Sequence, residues 1–421
     1  MRPIDRIRLD PAQVRRELEL RGFEAPLDRI IESDRTVREL RTQVETLQAE
    51  RNRASKGGPP SDEVKARMRE IGERIKSIDA ELGPLEAQLQ DDLLWIPNVI
   101  DPAVPPGKGE TENVEVRRDP VRDLGFPAKP HWEIGEALGI LDIPRGAKLS
   151  GSRFYMLRGP GAALQRALIA WMIDLKVARG FTEVYPPFVT KRETLVATGQ
   201  LPHFDANLYR DAQDDLWLIP TAEPQLVAMH RDEVFTPDQL PRRYVAYTAC
   251  FRREHMSAGR DVRGIKRGHQ FDKVEMVVHC LPEDSPRELE LLRELAVEVL
   301  EKLGLQARVV ERCTGDLGFN SLRGYDVETW GPGANEWLEV SSVSNVGDFQ
   351  AERSNIKVRR DPKAKAELVH NLNASGLALP RLMIAVLESY QQADGSVVIP
   401  DVVRPYMGGR ERIGAGELAP L

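Results

Sequence analysis

Cysteine is scarce in this chain. Only Cys250, Cys280 and Cys313 occur among 421 residues, an odd number, widely spaced and without a C-x-x-C pair. That argues against a disulfide framework and against a thiolate zinc site, and leaves free thiols buried in a reducing compartment. Aromatic residues are few, at 6%, and none falls between residues 28 and 92. No apolar run approaches the roughly 20 residues needed to span a bilayer, so no membrane partner is expected. The first residues are charged and lack an apolar segment, unlike a secretory signal, and a cytoplasmic location is expected. No GxxxxGK(S/T) loop and no GxGxxG after a strand is present, which disfavours P-loop and Rossmann nucleotide sites. Positive charge is not in excess: 59 Lys and Arg stand against 66 Asp and Glu, for a net charge of −7. Nucleic acid would have to be met by local basic patches on an acidic body.

What is present begins with helical patterning. Val37, Leu40, Val44 and Leu47 recur at spacings of three and four, as do Val64, Met68, Ile71, Ile75, Ile78, Leu82, Leu85 and Leu89. Each set places one narrow apolar stripe on a helix, the seam of a coiled coil. Between them, Lys56-Gly57-Gly58-Pro59-Pro60-Ser61 ends the first helix, and Ser61 or Asp62 can cap the second. The pattern predicts two antiparallel helices over residues 28–92, joined by a tight turn. Each would be on the order of 40 Å long. Gly83-Pro84 should bend the second. Such a hairpin buries little. It reads either as a dimerisation coiled coil or as a probe that reaches a distant part of a large partner. Its arginines and lysines alternate with acids, as on a solvated helical surface.

Residues 93–130 are proline-rich and read as a linker, which divides the chain into an N-terminal domain at 1–106 and a larger domain at 107–421. In the larger domain a helical pattern covers 160–179, and others lie near 284–303 and 377–391. Strand-like runs are Thr182–Tyr185, Leu216–Ile219, Tyr244–Phe251, Lys273–His279, Ala307–Glu311, Tyr325–Thr329 and Glu336–Val340. Many strands with long irregular connections predict an α+β fold, a mostly antiparallel sheet flanked by helices.

Four groups of chemically apt residues stand out. Arg252 and Glu254 end a strand, followed by a loop rich in glycine and arginine and a return strand with Phe271 and Glu275. Pro220-Thr221-Ala222-Glu223 is the second group, Glu339-Val340-Ser341-Ser342 the third, and Asn373-Ala374-Ser375-Gly376-Leu377 with Arg381 the fourth. Singly they have plain readings: a surface ion pair, a core phenylalanine, a turn at Ser375-Gly376. Together and in this order they resemble the seryl-tRNA synthetase family of class II aminoacyl-tRNA synthetases. The stretch Cys250 to Val277 resembles motif 2 in that family's form. Thr198-Gly199-Gln200-Leu201-Pro202 with Phe204 is similar to its GTGQLPxF segment, and Thr221-Ala222-Glu223 to its serine-binding motif. Pro187 resembles the motif 1 proline. Glu339–Ser342 with Ser344, Asn345 and Asp348–Ala351, and Leu372–Arg381 with Glu388–Gln392 and Arg404–Gly409, look like its later signatures.

The resemblance implies a class II catalytic domain behind a helical arm. It implies activation of serine by ATP with Mg²⁺, no zinc, and transfer to serine tRNA, with selenocysteine tRNA as a further substrate. Adenylate formation needs positioning and charge stabilisation more than acid–base work, so arginines and carboxylate-held magnesium are suitable equipment. Carried over by position, Thr221, Ala222, Glu223, Arg252, Glu275 and Ser375 bind serine. Arg252, Arg253, Glu254, Phe271, Glu339, Val340, Ser341, Ser342 and Arg381 bind ATP, Glu339 and Ser342 also its magnesium. Arg252 and Arg381 are the catalytic arginines, and Pro187 marks a homodimer interface. The arm would meet the long variable arm of the tRNA.

The chain departs from the family pattern at Arg253, His255 and Met256, where many members read Ser, Ala and Gly. Val343 replaces a usual cysteine, and Ala374 a usual glycine. None of the residues assigned to ATP or serine is lost. Two rivals remain, an amino acid:carrier-protein ligase and a non-catalytic tRNA-binding paralogue. The intact arm and the retained Arg252, Glu254, Glu339 and Arg381 disfavour them.

Overall fold

The computed structural model describes residues 2–54, 61–255 and 263–417. The turn expected at Lys56–Pro60 and the departure at Met256 lie outside the described residues. The chain divides into two compact units, Met1–Pro97 and Asn98–Leu421.

The first unit is helical. Its long helices are α3 (Leu27–Ala54) and α4 (Asp62–Leu93), preceded by the shorter α1 (Pro3–Leu9) and α2 (Pro11–Arg21). Ser61 caps α4 through its hydroxyl, which accepts from Val64 N at 3.3 Å. The cross-helix ion pairs Arg29–Asp92 at 2.6 Å, Arg41–Glu86 at 2.7 Å and Arg67–Glu50 at 3.0 Å show that α3 and α4 run antiparallel. Val37, Leu40, Ile71, Ile75, Ile78, Leu82 and Leu89 are buried along the seam, as their spacing predicts. Each such side chain contributes about 1.5–3 kcal/mol when fully buried. Helix α4 continues through Pro84, and at 32 residues it is roughly 48 Å long. Helices α1 and α2 were not read from the sequence. Ile7, Val14 and Leu18 pack them against Leu27, Ile30 and Leu89 near the base of the hairpin.

The second unit is built on an eight-stranded sheet. In chain order its strands are β1 (Val114–Arg118), β2 (Thr182–Glu183), β3 (Arg242–Phe251), β4 (Gln270–Cys280), β5 (Ala307–Glu311), β6 (Arg323–Gly331), β7 (Glu336–Gly347) and β8 (His370–Ala378). They lie in the order β1-β5-β6-β7-β8-β4-β3-β2. Among the described residues of this sheet, only β2 and β3 pair in parallel. Helices α5 (Gly159–Val177), α6 (Ser285–Lys302) and α8 (Leu379–Ser389) pack with the sheet into one apolar core, and the short α7 (Phe349–Ser354) follows β7. Among the described residues no helix is long and apolar enough to cross a membrane, and all three cysteines are free and buried.

Two expectations need correction. The stretch after residue 97 is not a free linker. Asn98 donates through Nδ2 to the carbonyls of Asn320 and Val346, Thr314 N donates to Pro105 O, and β1 pairs with β5 at the sheet edge. The plain reading of Ser375-Gly376 as a turn also fails, because both lie inside β8, between β7 and β4. The strand's alternation is short, carried by Leu372 and Ala374 and interrupted at Gly376. Strand β7 likewise extends beyond Val340 to Gly347.

Candidate active site

Strand alternation puts the apolar and chemical residues on opposite faces. On β4, Val274, Met276 and Val278 join the helix-packed core, while Lys273 and Glu275 point the other way and line a cavity. On β8, Leu372 and Ala374 face the core, while Asn373 and Ser375 line that same cavity. Ser375 lies directly opposite Glu275 in the ladder.

Two β-bulges adjust this face. Against β6, Ser341 pairs with Val327 and Glu339 with Glu328, so Val340 is the extra residue. Glu339 and Ser342, three apart, therefore both reach the cavity lining. Against β4, Ser375 pairs with Glu275 and Leu377 with Val274, leaving Gly376 as the extra residue. A Cβ on Gly376 would stand 3.2 Å from the Val274 side chain, so glycine suits this close approach.

Two adjoining cavities of about 310 Å³ each open over this face. The first is lined by Glu254, Lys266, Arg267, Phe271, Val340, Pro380 and Arg381 among others. The second is lined by Gln200, Phe204, Thr221, Glu223, Glu275, Asn320 and Asn373 among others. Arg252, Lys273, Glu339, Ser342 and Ser375 line both.

Arg252 follows the last residue of β3. Its backbone N donates to His269 O at 2.9 Å, its Nε to Pro220 O at 3.2 Å, and its guanidinium stands over the Phe271 ring, 5.2 Å from the centroid. Arg381, in the first turn of α8, places Nη1 3.1 Å from Glu339 Oε2 and donates to Glu339 O at 2.7 Å. Desolvation at the cavity wall pushes the Glu339 carboxyl up, though its side chain is 45% exposed, but Arg381, Arg312 and Arg252 outweigh it and hold the group below its ordinary range. Burial raises neighbouring Asp326, with Arg312 opposing and Glu339 adding to the rise. The two carboxyls are thus shifted in opposite directions: Glu339, which faces the cavity, is lowered and Asp326 is raised.

In the second cavity Lys273 and Glu275 form a buried ion pair. Glu223 accepts from Gln350 Nε2 at 2.5 Å and from Asn320 Nδ2 at 3.3 Å, both on Oε1. Burial, and then the nearby Glu275, push Glu223 up to about 7, against the pull of Gln350, Lys273 and Asn373. Thr221 is buried beside it, with Oγ1 accepting from Glu223 N at 3.4 Å.

Not every residue singled out from the sequence reaches a cavity. Arg253 lines neither. Its Nε donates to Leu208 O at 2.9 Å and its guanidinium packs 4.4 Å from the Tyr209 ring centroid. Ala222 is buried at the start of a short helix, Glu223–Ala228, and Ser341 Oγ donates to Ser375 O at 2.7 Å. Pro187 is exposed, away from the cavities, with its carbonyl accepting from Gln225. Val343 and Ala374, two departures from the family pattern, are register partners in the core. His255 is exposed, its backbone N held by Asn207 Oδ1 at 3.2 Å. Lys273, Asn373, Arg312, Asn320 and Gln350 line the second cavity or touch Glu223 but have no site role in the sequence reading. The first two were legible in principle, each two residues before a chosen residue on the same strand face.

Residues 1–100 match the model of the seryl-tRNA synthetase N-terminal domain, and residues 204–390 that of the class II tRNA synthetase core domain shared by the G, H, P, S and T enzymes. A serine–tRNA ligase of Roseiflexus sp. is 55% identical over 97% of this chain and 98% of its own length.

The chain belongs to the seryl-tRNA synthetase family.

Another family member, from Thermomicrobium roseum, is 53% identical over 97% of this chain and 94% of its own. The seryl-tRNA synthetase of Pyrococcus horikoshii, solved in complex with ATP, superposes with a TM-score of 0.91 at 35% identity, covering 98% of this chain and 99% of that one. The cytoplasmic enzyme of Naegleria fowleri, complexed with AMP, gives 0.86 at 30% identity over 97% and 96%. The synthetase described here is an ATP-dependent ligase that activates serine and charges tRNA with it.

Proposed function

We propose that the first cavity receives ATP, the second receives serine, and Arg252 stands at their junction. The observation that carries this reading is the shared wall: Arg252, Lys273, Glu339, Ser342 and Ser375 line both spaces. The serine carboxylate attacks the α-phosphorus, a C–O–P linkage forms, and the bond to pyrophosphate breaks. Arg252 meets both reacting groups and stabilises charge as it builds. Glu254 binds the adenine amino group and Phe271 stacks on the base. Arg381 holds the γ-phosphate.

Magnesium enters as part of the substrate, bound to ATP. Among the described residues no group of three His, Cys, Asp or Glu side chains is placed to hold a metal ion. A phosphate-borne Mg²⁺ needs only one or two protein ligands and keeps several waters. An ionised Glu339 with the Ser342 hydroxyl beside it fits that requirement.

Thr221, Glu223 and Glu275 surround the serine ammonium group, and Glu275 with Ser375 takes the hydroxyl. Alanine is rejected because it would leave buried polar groups unpaired. Ala222, Val340 and Ser341 act through the backbone they hold in place. The α3–α4 hairpin reads as the element that meets the long variable arm of serine tRNA, and the exposed Pro187 region as part of a homodimer contact. ATP, tRNA and three free thiols suit a cytoplasmic enzyme. Serine-dependent ATP–pyrophosphate exchange by Glu275→Ala tests the assignment. A raised KM for serine with little change for ATP supports it, and an unchanged serine dependence removes Glu275 from the pocket.

A further inference from the structure

Helix α7 grips the backbone that precedes the serine cavity one carbonyl at a time. Arg353 Nη1 donates to Val196 O at 3.5 Å, Ser354 Oγ to Ala197 O at 3.5 Å, and Gln350 Nε2 to Thr198 O at 3.1 Å. Gly199 follows at φ +80°, and a Cβ there would stand 2.9 Å from the Phe349 ring. Successive residues are thus fixed by side chains of one short helix.

Gln350 differs from the other two donors. The same Nε2 that holds Thr198 O also donates to Glu223 Oε1 at 2.5 Å. Its two N–H groups are both committed, and Gln350 is 1% exposed. The amide oxygen is buried without a hydrogen-bond partner. Rotating the amide would aim that oxygen at a carbonyl and a carboxylate, so the observed orientation is the one the surroundings permit. An orphan buried acceptor is unfavourable, and here it accompanies a donor fixed on Glu223.

We propose that Gln350 is a positioning residue for serine recognition: it orients the Glu223 carboxylate toward the substrate ammonium group and ties that orientation to the backbone at 196–199. The inference rests on the assignment of Glu223 to the serine amino group made above. Other charged groups line the same cavity, namely Glu275 and Lys273 from β4, Glu339 from β7, Arg252 after β3 and Arg312 after β5. Glu275 raises the Glu223 carboxyl, whereas Gln350 and Lys273 lower it. Removal of the Gln350 donor therefore makes Glu223 harder to ionise.

The test is ATP–pyrophosphate exchange by full-length Gln350→Met, with KM for serine and for ATP measured between about pH 6 and 9. Expected is a loss in kcat/KM for serine on the order of tenfold near neutrality, with KM for ATP unchanged. The rise of serine kcat/KM with pH should move to higher pH, so that the deficit shrinks in alkali. A deficit equal at every pH, an equal loss for ATP, or no deficit would overturn the proposal. If Gln350→Met does not fold, Gln350→Glu decides: a second acid beside Glu223 must move the profile upward, and an unmoved profile overturns the proposal. Glu223→Gln is the control. If it leaves serine KM and its pH profile intact, both the Glu223 assignment and this proposal fall. If it flattens the profile while the Gln350 variants leave theirs unmoved, only the role of Gln350 falls.

Discussion

Arg252 stands over Phe271, its guanidinium carbon 5.2 Å from the ring centroid. The pair links the end of β3 to the start of β4, because Cys250 and Phe271 are partners in that ladder. On the proposed assignment, a purine stacked on Phe271 and a phosphate paired with Arg252 would be neighbours. The two side chains should fail differently. Arg252→Ala should lower kcat for adenylate formation by about 100-fold or more, since it removes charge stabilisation at the reacting centre. Phe271→Leu should mainly raise KM for ATP. Steady-state ATP–pyrophosphate exchange separates the two effects.

Glu223 sets a pH dependence. Burial and the nearby Glu275 push its carboxyl up to about 7, and on the proposed assignment only the carboxylate would pair with the serine ammonium group. Serine kcat/KM should therefore rise as pH rises through about 7. The stability effect has the opposite direction. The folded state holds a proton that the unfolded chain releases at its lower pKa, so stability falls as pH climbs from that value to about 7. Above that, Glu223→Gln should be the more stable protein by up to about 3 kcal/mol. Thermal unfolding of the two proteins at acid and alkaline pH measures the difference.

How far could the sequence be read? The α3–α4 seam and the core strands were legible because each buries one face, and the burial leaves a period of three to four or of two. Strand β8 was not, since its polar–apolar alternation rests on Leu372 and Ala374 alone before the bulge at Gly376 breaks the period. The cavity residues at Arg252, Glu254, Phe271, Glu275, Glu339, Ser342, Ser375 and Arg381 were found through family motifs. The contacts of Gln350 and Asn320 with Glu223 were not legible, because they join residues far apart along the chain, a relation that no local spacing records.

Glu388 is a buried carboxylate with all its partners supplied by this chain. Oε1 meets His131 N at 2.9 Å and His131 Nδ1 at 2.9 Å, while Oε2 accepts from Gly333 N at 2.9 Å and Ala334 N at 3.1 Å. Glu388 is 0% exposed and lies on α8, the helix that carries Arg381. Glu388→Ala should cost about 3–5 kcal/mol of stability, because it strands several buried donors at once. Chemical denaturation of the variant beside the parent checks the magnitude, and a loss under about 1 kcal/mol would contradict it.

The hairpin and the cavities belong to separate compact units. Deletion of residues 35–85 should spare ATP–pyrophosphate exchange and cripple tRNA charging. Equal charging by the deletion variant would defeat the assignment of the hairpin to tRNA.

The most direct measurement is ATP-dependent attachment of labelled serine to purified serine tRNA by the intact protein, beside an alanine control. Serine should be attached and alanine should not, since Glu223, Glu275 and Ser375 line the second cavity and alanine would leave its polar groups unpaired. Comparable attachment of both amino acids, or none of serine, would contradict the central claim.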